Sequence, residues 1–353
     1  MDAIVERETG LPVSQQYKLG LAIAGHFLRE YGMSTAQDYT RLGISKESSA
    51  AFYQRISVDI APLRQQIKSL QSYDASWRYA FNPLQVTPLI RFDATHPERV
   101  ICPIPDYLLR RVSESLFYDI AGAQDIGNAY GASFETYVGE VLHAIFSDNS
   151  YIIDAEREYY DGKNRKDGVD WRLSDASATI FIECKTKRLR HDAKFMTAPA
   201  ALGEDLDNMA KYIVQHYNNI IDALDGKTHW IPDGKPIFPL IITLENWWII
   251  LPDTIAALKT RILARLTEAQ INPKILDDLP CTIMSIAEFE ISSQVMKQTG
   301  LLEYFRNKVS KYIDYDITGF QNHCFPDQVR AVDKRIFADD FSELMKLSPR
   351  SPQ

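Results

Sequence analysis

The stretch that decides the fold is Gly168–Lys185, which reads GVDWRLSDASATIFIECK. It places Asp170 before a short polar turn, and an apolar run follows that ends with Glu183 and Lys185. Successive side chains of a strand point to opposite faces, so a strand here puts these last two residues on the same face as Phe181. Buried strands rarely carry a carboxylate beside an ammonium without a use for them. The pattern therefore predicts a strand with a functional acid–amine pair.

The composition is that of an ordinary soluble globular protein. The chain has 353 residues, of which 45% are apolar and 24% charged, enough for two domains or one elaborated domain. A net charge of -8 argues against coating by nucleic acid but allows a local basic groove. The four scattered cysteines indicate reduced thiols rather than disulfides or a zinc site. With neither a signal peptide nor a long apolar run in the sequence, we expect a cytoplasmic protein without a membrane segment.

The elements predicted around the deciding stretch are, in order, a helix, three strands, a helix and a buried strand. The segment SFETYVGEVLHAIF at 133–146 has apolar residues at helical spacing, and KPIFPLIITLENWWIIL at 235–251 suits one or two strands buried in a sheet. A polar turn, DGKNRKDG, is expected at 161–168. The other core elements are strands at about 151–156, 169–173 and 179–185 and a helix at about 204–224.

Helical regions are expected on both sides of this core. The sequence suggests a helical N-terminal region at 1–80, a core region at 81–250 and a mainly helical C-terminal region at 251–353. In the first region, Ser45 can cap a helix, and Pro62 predicts a kink or two separate helices. Two interpretations of this region stay open: a subdomain that only packs against the rest of the chain, and a module that contacts a partner protein or DNA. The remaining predictions are helices at about 13–31, 253–269, 287–299 and 301–313 and a strand near 282–284.

Asp170 and Glu183 are the residue types expected of a metal site. Hydrolysis of a phosphodiester requires neutralisation of charge on the scissile phosphate and activation of a water, and a divalent metal does both. Hard cations such as Mg²⁺ prefer carboxylate oxygens, which these two residues supply. The backbone carbonyl of Cys184 can add a third ligand, and Lys185 can hold the attacking water or stabilise the developing charge.

The chain resembles the PD-(D/E)XK nuclease superfamily, which has the restriction-endonuclease-like fold. The matching residues are Asp170 in GVDW, Glu183 and Lys185 in IFIECK, and Glu135 in SFETYVGEVL. The resemblance covers about residues 129–250. It implies an α/β (α+β mixed) fold with an αβββαβ core around a central mixed sheet, dependence on Mg²⁺ (for which Mn²⁺ can substitute), and cleavage of nucleic acid.

The resemblance also assigns roles residue by residue. Asp170 and Glu183 become metal ligands. Lys185 becomes the catalytic lysine, and Glu135 becomes the auxiliary carboxylate on the preceding helix.

Competing candidates exist for two of these acids, Asp170 and Glu135. Val169 stands where the superfamily often has proline before the aspartate. Asp167 competes with Asp170, which we prefer because apolar neighbours place it inside the predicted strand. On the helix, Glu140 lies farther than Glu135 from the centre of the apolar face at 100° per residue.

The acid–amine pair and the tryptophans also have structural interpretations. Glu183 and Lys185 can form an exposed ion pair on an edge strand, although the apolar run favours a central strand. Trp247 and Trp248 can stack on bases, but at least one is expected in the core because both lie in an apolar segment.

Basic side chains flank the predicted site and are candidates for contacts to phosphates or, alternatively, parts of solvated loops. Gln215, in the predicted 204–224 helix, is a further candidate, because related nucleases carry a functional glutamine there. It falls opposite the apolar stripe, so it faces either a cleft or solvent. The basic candidates are Lys163, Arg165, Lys166, Lys187, Arg188 and Arg190.

The expected function is therefore that of a Mg²⁺-dependent deoxyribonuclease. The resemblance suggests a role in bacterial restriction, phage defence or repair, with DNA as substrate and a homodimer or a partner defence subunit as the assembly. Two alternatives stay open: a catalytically silent nucleic-acid-binding or scaffold subunit with the same fold, and a nuclease that acts on RNA.

Overall fold

The computed structural model describes residues 1–71, 73, 81–124, 126–155, 157–188, 199–247, 252–333 and 335–345. The chain forms two compact units, one of Met1–Ala129 with Phe337–Gln353 and the other of Tyr130–Ile336. The three regions expected from the sequence divide the chain at residues 80 and 250 instead, and they remain a prediction.

The first unit combines helices with a small sheet whose strand order is β1-β4-β3-β2. The predicted 13–31 helix ends at Phe27. Of the two alternatives predicted around Pro62, the structure has two separate helices, Lys46–Ile56 and Ile60–Leu70. Ser45 caps the first of these by accepting a hydrogen bond from the Ser48 N–H (3.1 Å). The helices are α1 (Asp2–Thr9), α2 (Val13–Phe27), α3 (Lys46–Ile56), α4 (Ile60–Leu70), α5 (Pro105–Val112), α6 (Phe117–Ile120) and, near the C-terminus, Ala338–Leu344. The strands are β1 (Gly32–Ser34), β2 (Ser57–Asp59), β3 (Leu89–Arg91) and β4 (Arg99–Ile101).

Among the described residues of the first eighty, two short strands accompany the helices, and the sequence analysis did not predict these strands. β1 and β2 are each three residues long, which is too short to show an alternating pattern in the sequence. The core of this unit packs α2 and α3 against the sheet through buried apolar side chains. They include Leu19, Ile23, Phe52, Ile56, Leu89 and Val100.

The second unit is built on a five-stranded mixed sheet, in agreement with the expected mixed α/β class. Its strands are β5 (Ile152–Ala155), β8 (Trp171–Ser174), β9 (Thr179–Lys185), β10 (Ile237–Thr243) and β11 (Thr282–Ser285). They lie in the order β11-β10-β9-β8-β5, with β9, β10 and β11 parallel and β5, β8 and β9 antiparallel. Every residue of β10 is buried, which explains its unbroken apolar sequence.

The predicted polar turn at 161–168 is wrong in part, because its first residues form a separate hairpin. β6 (Tyr159–Asp161) pairs with β7 (Asn164–Lys166), and Gly162 in the turn adopts a φ of 64° that favours glycine. Both strands have three residues, so the polar sequence carries no strand period.

Helices cover the sheet of the second unit. The apolar stripe of the helix after β9 packs with Ile241 of the sheet and with the helix that follows β10. Among the described residues, no helix is long and apolar enough to cross a membrane. The helices are α7 (Ile126–Ile145, in this unit from Tyr130), α8 (Pro199–Leu224), α9 (Pro252–Glu268), α10 (Ile275–Asp278), α11 (Ile286–Thr299), α12 (Leu301–Val309), α13 (Ile317–Cys324) and α14 (Pro326–Arg330).

Candidate active site

Asp170 and Glu183 lie beside each other where β8 begins and β9 ends. The register pairs Trp171 with Ile182, so the next step of the ladder brings the two acids together. Asp170 sits at the bend immediately before β8, which corrects the prediction that it lies inside the strand. From the bend, its Oδ2 accepts a hydrogen bond from the Cys184 N–H (2.5 Å). This bond ties the aspartate to the end of β9.

Glu183 and Lys185 form a buried ion pair. The Lys185 Nζ lies 2.6 Å from the Glu183 Oε1, and the side chains are 19% and 4% exposed, respectively. The alternative of an exposed pair on an edge strand is wrong, because β9 is the third of five strands. Both side chains face α8, as does Phe181, so the predicted alternation along β9 is confirmed.

α8 contributes two residues to the site that the sequence analysis missed. His216 is fully buried; its Nε2 donates to the Phe181 carbonyl (3.0 Å), and its Nδ1 lies 3.6 Å from the Glu183 Oε2. Tyr212 lies one turn earlier, with its ring centroid 5.2 Å from the Lys185 Nζ. The predicted Gln215 is exposed on the same helix.

A sequence signal for His216 existed. It lies three residues after Ile213 and four before Ile220, both of which belong to the buried stripe of α8. A polar ring at that spacing must be buried with a partner.

Glu135 stands on α7 next to this cluster and is partly buried, as its place at the edge of the apolar face predicts. The Trp171 indole N–H donates to the Glu135 backbone carbonyl (2.9 Å), so this turn of α7 is held at the start of β8. The indole also lies against Gly139, where a Cβ would come within 2.2 Å of the Trp171 Cζ2. The alternative acid, Glu140, is exposed.

The two central acids have opposite pKa shifts. Burial raises the pKa of Asp170 to about 8, and repulsion from Glu183 and Glu135 adds to this, against the Cys184 N–H and Lys185. Burial also raises the pKa of Glu183, but His216 and Lys185 outweigh it and the pKa is lowered overall. In the metal-free protein, these shifts favour a proton on Asp170 and a negative charge on Glu183.

The donor set fits a divalent cation. Glu183 Oε2 is buried and has no hydrogen-bond partner among the described residues. The Nδ1 of His216 lies 3.6 Å from this oxygen, beyond hydrogen-bonding distance. A cation beside the acids would also favour the ionised form of Asp170.

The fit is to a partly hydrated ion rather than to a closed cage. Within the part of the chain that the structure describes, no three His, Cys, Asp or Glu side chains are arranged to hold a metal. Mg²⁺ usually keeps several waters and takes only one or two carboxylates from the protein. Asp170, Glu183 and the Cys184 carbonyl, the predicted ligands, are such a partial set.

The predicted basic residues of the β6–β7 hairpin are mostly paired with acids. Arg165 contacts Glu158 (2.5 Å) and Asp167 (3.2 Å), and Lys163 is exposed in the turn. Lys166 contacts two acids, Asp161 at 2.8 Å and Asp222 at 2.7 Å. Asp167 is exposed and pairs with Arg165, whereas Asp170 contacts the end of β9.

The predicted basic residues that follow β9 also contact other side chains. The Lys187 Nζ is 3.7 Å from Asp205, and Arg188 contacts Glu245 (3.0 Å) and the Tyr130 hydroxyl (3.0 Å). Arg190 lies outside the described residues.

Trp247 is part of the core, as expected for at least one of the two tryptophans. It is buried, and its indole N–H donates to the Lys187 carbonyl (3.2 Å). Trp248 lies outside the described residues.

Comparisons with known proteins do not place the chain in a family. No model of a known protein family matches the sequence, and no curated protein matches it either. The relation to the PD-(D/E)XK superfamily therefore remains a proposal.

Proposed function

We propose that the protein is a Mg²⁺-dependent nuclease that hydrolyses phosphodiester bonds of DNA. The observation that supports this most strongly is the meeting of Asp170, Glu183 and Lys185 at one end of the β8–β9 pair. Two acids and an amine that converge in this way supply the charges that phosphodiester hydrolysis needs.

The order of elements supports a PD-(D/E)XK type of core. In the second unit, a helix is followed by three strands of the main sheet, a helix and a further strand, namely α7, β5, β8, β9, α8 and β10. This is the αβββαβ order that the resemblance implies, with the β6–β7 hairpin inserted after the first strand.

Each residue has a role in this proposal. Asp170 and Glu183, with the Cys184 carbonyl, hold the metal ion, which when bound neutralises charge on the phosphate and activates a water. Lys185 places a positive charge where negative charge develops on the scissile phosphate. Glu135 adds a carboxylate at the edge of the site.

A catalytically silent subunit is the second candidate. It is favoured by the Lys185–Glu183 ion pair, which already neutralises the more buried acid without any metal. Restriction, phage defence and repair are biological roles that only the resemblance suggests. A dimer or a partner defence subunit belongs to the same proposal.

The test is cleavage of a substrate panel by the purified full chain. Supercoiled plasmid, linear duplex, single-stranded DNA and RNA are incubated with Mg²⁺, with Mn²⁺ or with a chelator. We expect metal-dependent cleavage of DNA that falls about 10²–10⁴-fold in Asp170→Asn, Glu183→Gln and Lys185→Met, since each removes a group that acts on the reacting atoms.

Asp167→Asn is the matched control, because it makes the same change three residues away at an exposed ion pair. It should cleave like the wild type. Cleavage that survives all three site substitutions, or persists in the chelator, contradicts the proposal. Cleavage of RNA alone would reassign the substrate, and metal binding without cleavage would favour the silent subunit.

A further inference from the structure

The two oxygens of Glu183 have different surroundings. Oε1 accepts from the Lys185 Nζ at 2.6 Å. Oε2 is buried without a hydrogen-bond partner among the described residues, and it points toward the Nδ1 of His216 at 3.6 Å. The carboxylate therefore lies between a lysine on its own strand and a histidine on α8.

The other edge of the His216 ring determines its orientation. A backbone carbonyl can only accept, so Nε2 carries a hydrogen and donates it to the Phe181 carbonyl (3.0 Å). This bond fixes the ring with its Nδ1 edge toward Glu183. Because Nε2 keeps its hydrogen, Nδ1 can donate to Glu183 only from the imidazolium form, which carries a hydrogen on both ring nitrogens. A hydrogen bond from nitrogen to oxygen is about 2.7–3.2 Å long, so a movement of about 0.5 Å by the carboxylate would bring Oε2 within range of Nδ1.

Covering β9 does not by itself require a histidine at this position. One turn farther along α8, Ile220 packs in the same apolar cluster as Phe181. Burial of an imidazole is costly unless its polar atoms are used. The ring is fully buried, and within the described part of the chain only one of its nitrogens has a hydrogen bond, so the other nitrogen is the feature that needs an explanation.

We propose that His216 is a positioning residue of the metal site. Its Nδ1 holds the Oε2 of Glu183 on the side that faces α8. The carboxylate therefore does not rotate fully onto Lys185, and it keeps its orientation when a cation binds. This inference rests on the proposed function, because it assigns Glu183 as a metal ligand. Tyr212, one turn earlier on α8 with its ring centroid 5.2 Å from the Lys185 Nζ, supports the lysine in the same way. Neither residue is assigned a contact with substrate.

Groups that orient metal ligands have measurable effects on affinity. Loss of such a partner typically weakens metal binding or activity about 10- to 100-fold. A merely structural role for His216 would instead show in the stability of the fold and leave the metal affinity unchanged.

Two substitutions separate the two edges of the ring. In His216→Gln, the side-chain amide reaches the position of Nε2 and can still donate to the Phe181 carbonyl, but nothing replaces Nδ1. In His216→Asn, the shorter amide places its nitrogen near the position of Nδ1 and loses the carbonyl contact. Asn218→Ala, an exposed position on the same helix, is the control.

The measurement is calorimetric titration of Mn²⁺ into the metal-free full chain, with kcat and KM for DNA cleavage and the melting temperature of each variant. We expect His216→Gln to bind Mn²⁺ about 10- to 100-fold more weakly and to lose kcat rather than raise KM. His216→Asn should stay closer to the wild type in Mn²⁺ affinity, although its melting temperature falls.

The possible results distinguish this inference from the proposed function. If the wild type binds Mn²⁺ and cleaves DNA while both histidine variants match it, or both lose affinity equally, the positioning role is wrong and the nuclease assignment stands. If the wild type binds no Mn²⁺ and cleaves nothing, both are wrong.

Discussion

The substitution Gly139→Ala tests how α7 is held at the candidate site. Gly139 faces the Trp171 ring, and an added Cβ would lie 2.2 Å from Cζ2, 2.6 Å from Cη2 and 3.0 Å from Cε2. Three ring carbons of one indole cannot all yield by a small rotation, so either the indole or the helix must move. The same indole donates to the Glu135 carbonyl, and that hydrogen bond is disturbed by either movement.

The size of the effect follows from three contributions. Overpacking a closely packed contact costs about 1–3 kcal/mol. Loss of the indole hydrogen bond adds about 0.5–1.5 kcal/mol. Replacing glycine by alanine inside a helix returns about 1 kcal/mol. The net expectation is a loss of about 2 kcal/mol in the free energy of unfolding, with Glu135 displaced from Asp170.

Gly131→Ala is the matched control, because it makes the same change in the same helix. Its added Cβ would meet only the Glu135 Oε1, at an ordinary contact distance of 3.9 Å. We therefore expect Gly131→Ala to gain up to about 1 kcal/mol from helix propensity. Urea unfolding followed by circular dichroism compares the two variants with the wild type. If Gly139→Ala proves as stable as Gly131→Ala, the packing of Trp171 on α7 is not as described.

Three further predictions concern charge. Because the pKa of Asp170 is raised to about 8 from an ordinary 3.8, the folded metal-free protein holds a proton that the unfolded chain releases. The free energy of unfolding should then fall between about pH 4 and pH 8, by at most about 1.4 kcal/mol per pH unit, and Asp170→Asn should remove this part of the slope in urea titrations. Mn²⁺ binding at pH 7 should release close to one proton in the wild type and none in Asp170→Asn, as measured by calorimetry in buffers of different ionisation enthalpy. In the first unit, Arg111→Met should cost about 3 kcal/mol in urea unfolding, because the buried guanidinium contacts both oxygens of Asp119; an unchanged midpoint would contradict this.

The central strands and the acid–amine pair could be predicted from the sequence because their signals are local. β9 and β10 are continuous apolar runs, and the alternation along β9 places Glu183 and Lys185 on the face that α8 covers. Apolar spacing likewise predicts several helices whose ends differ from the prediction by at most five residues, namely α2, α8, α9, α11 and α12. These features depend only on neighbours in the chain.

The parts that could not be predicted depend on contacts between distant residues. Lys166 precedes Asp170 by four residues in the chain, but its partner Asp222 lies 56 residues away, so the sequence does not indicate this ion pair. The three-residue strands of the β6–β7 hairpin carry no period. His216 escapes prediction because its partner, Glu183, lies 33 residues away in the chain, so the sequence does not show what its buried ring contacts.

The measurement that tests the central claim most directly is a crystal structure of the full chain with Mn²⁺ and a short DNA duplex, with anomalous scattering to locate the ion. We expect an anomalous peak bonded to carboxylate oxygens of both Asp170 and Glu183, with a phosphate of the duplex next to Lys185. A Mn²⁺ ion bound elsewhere while these carboxylates remain without one, or a duplex that lies away from them, would contradict the account.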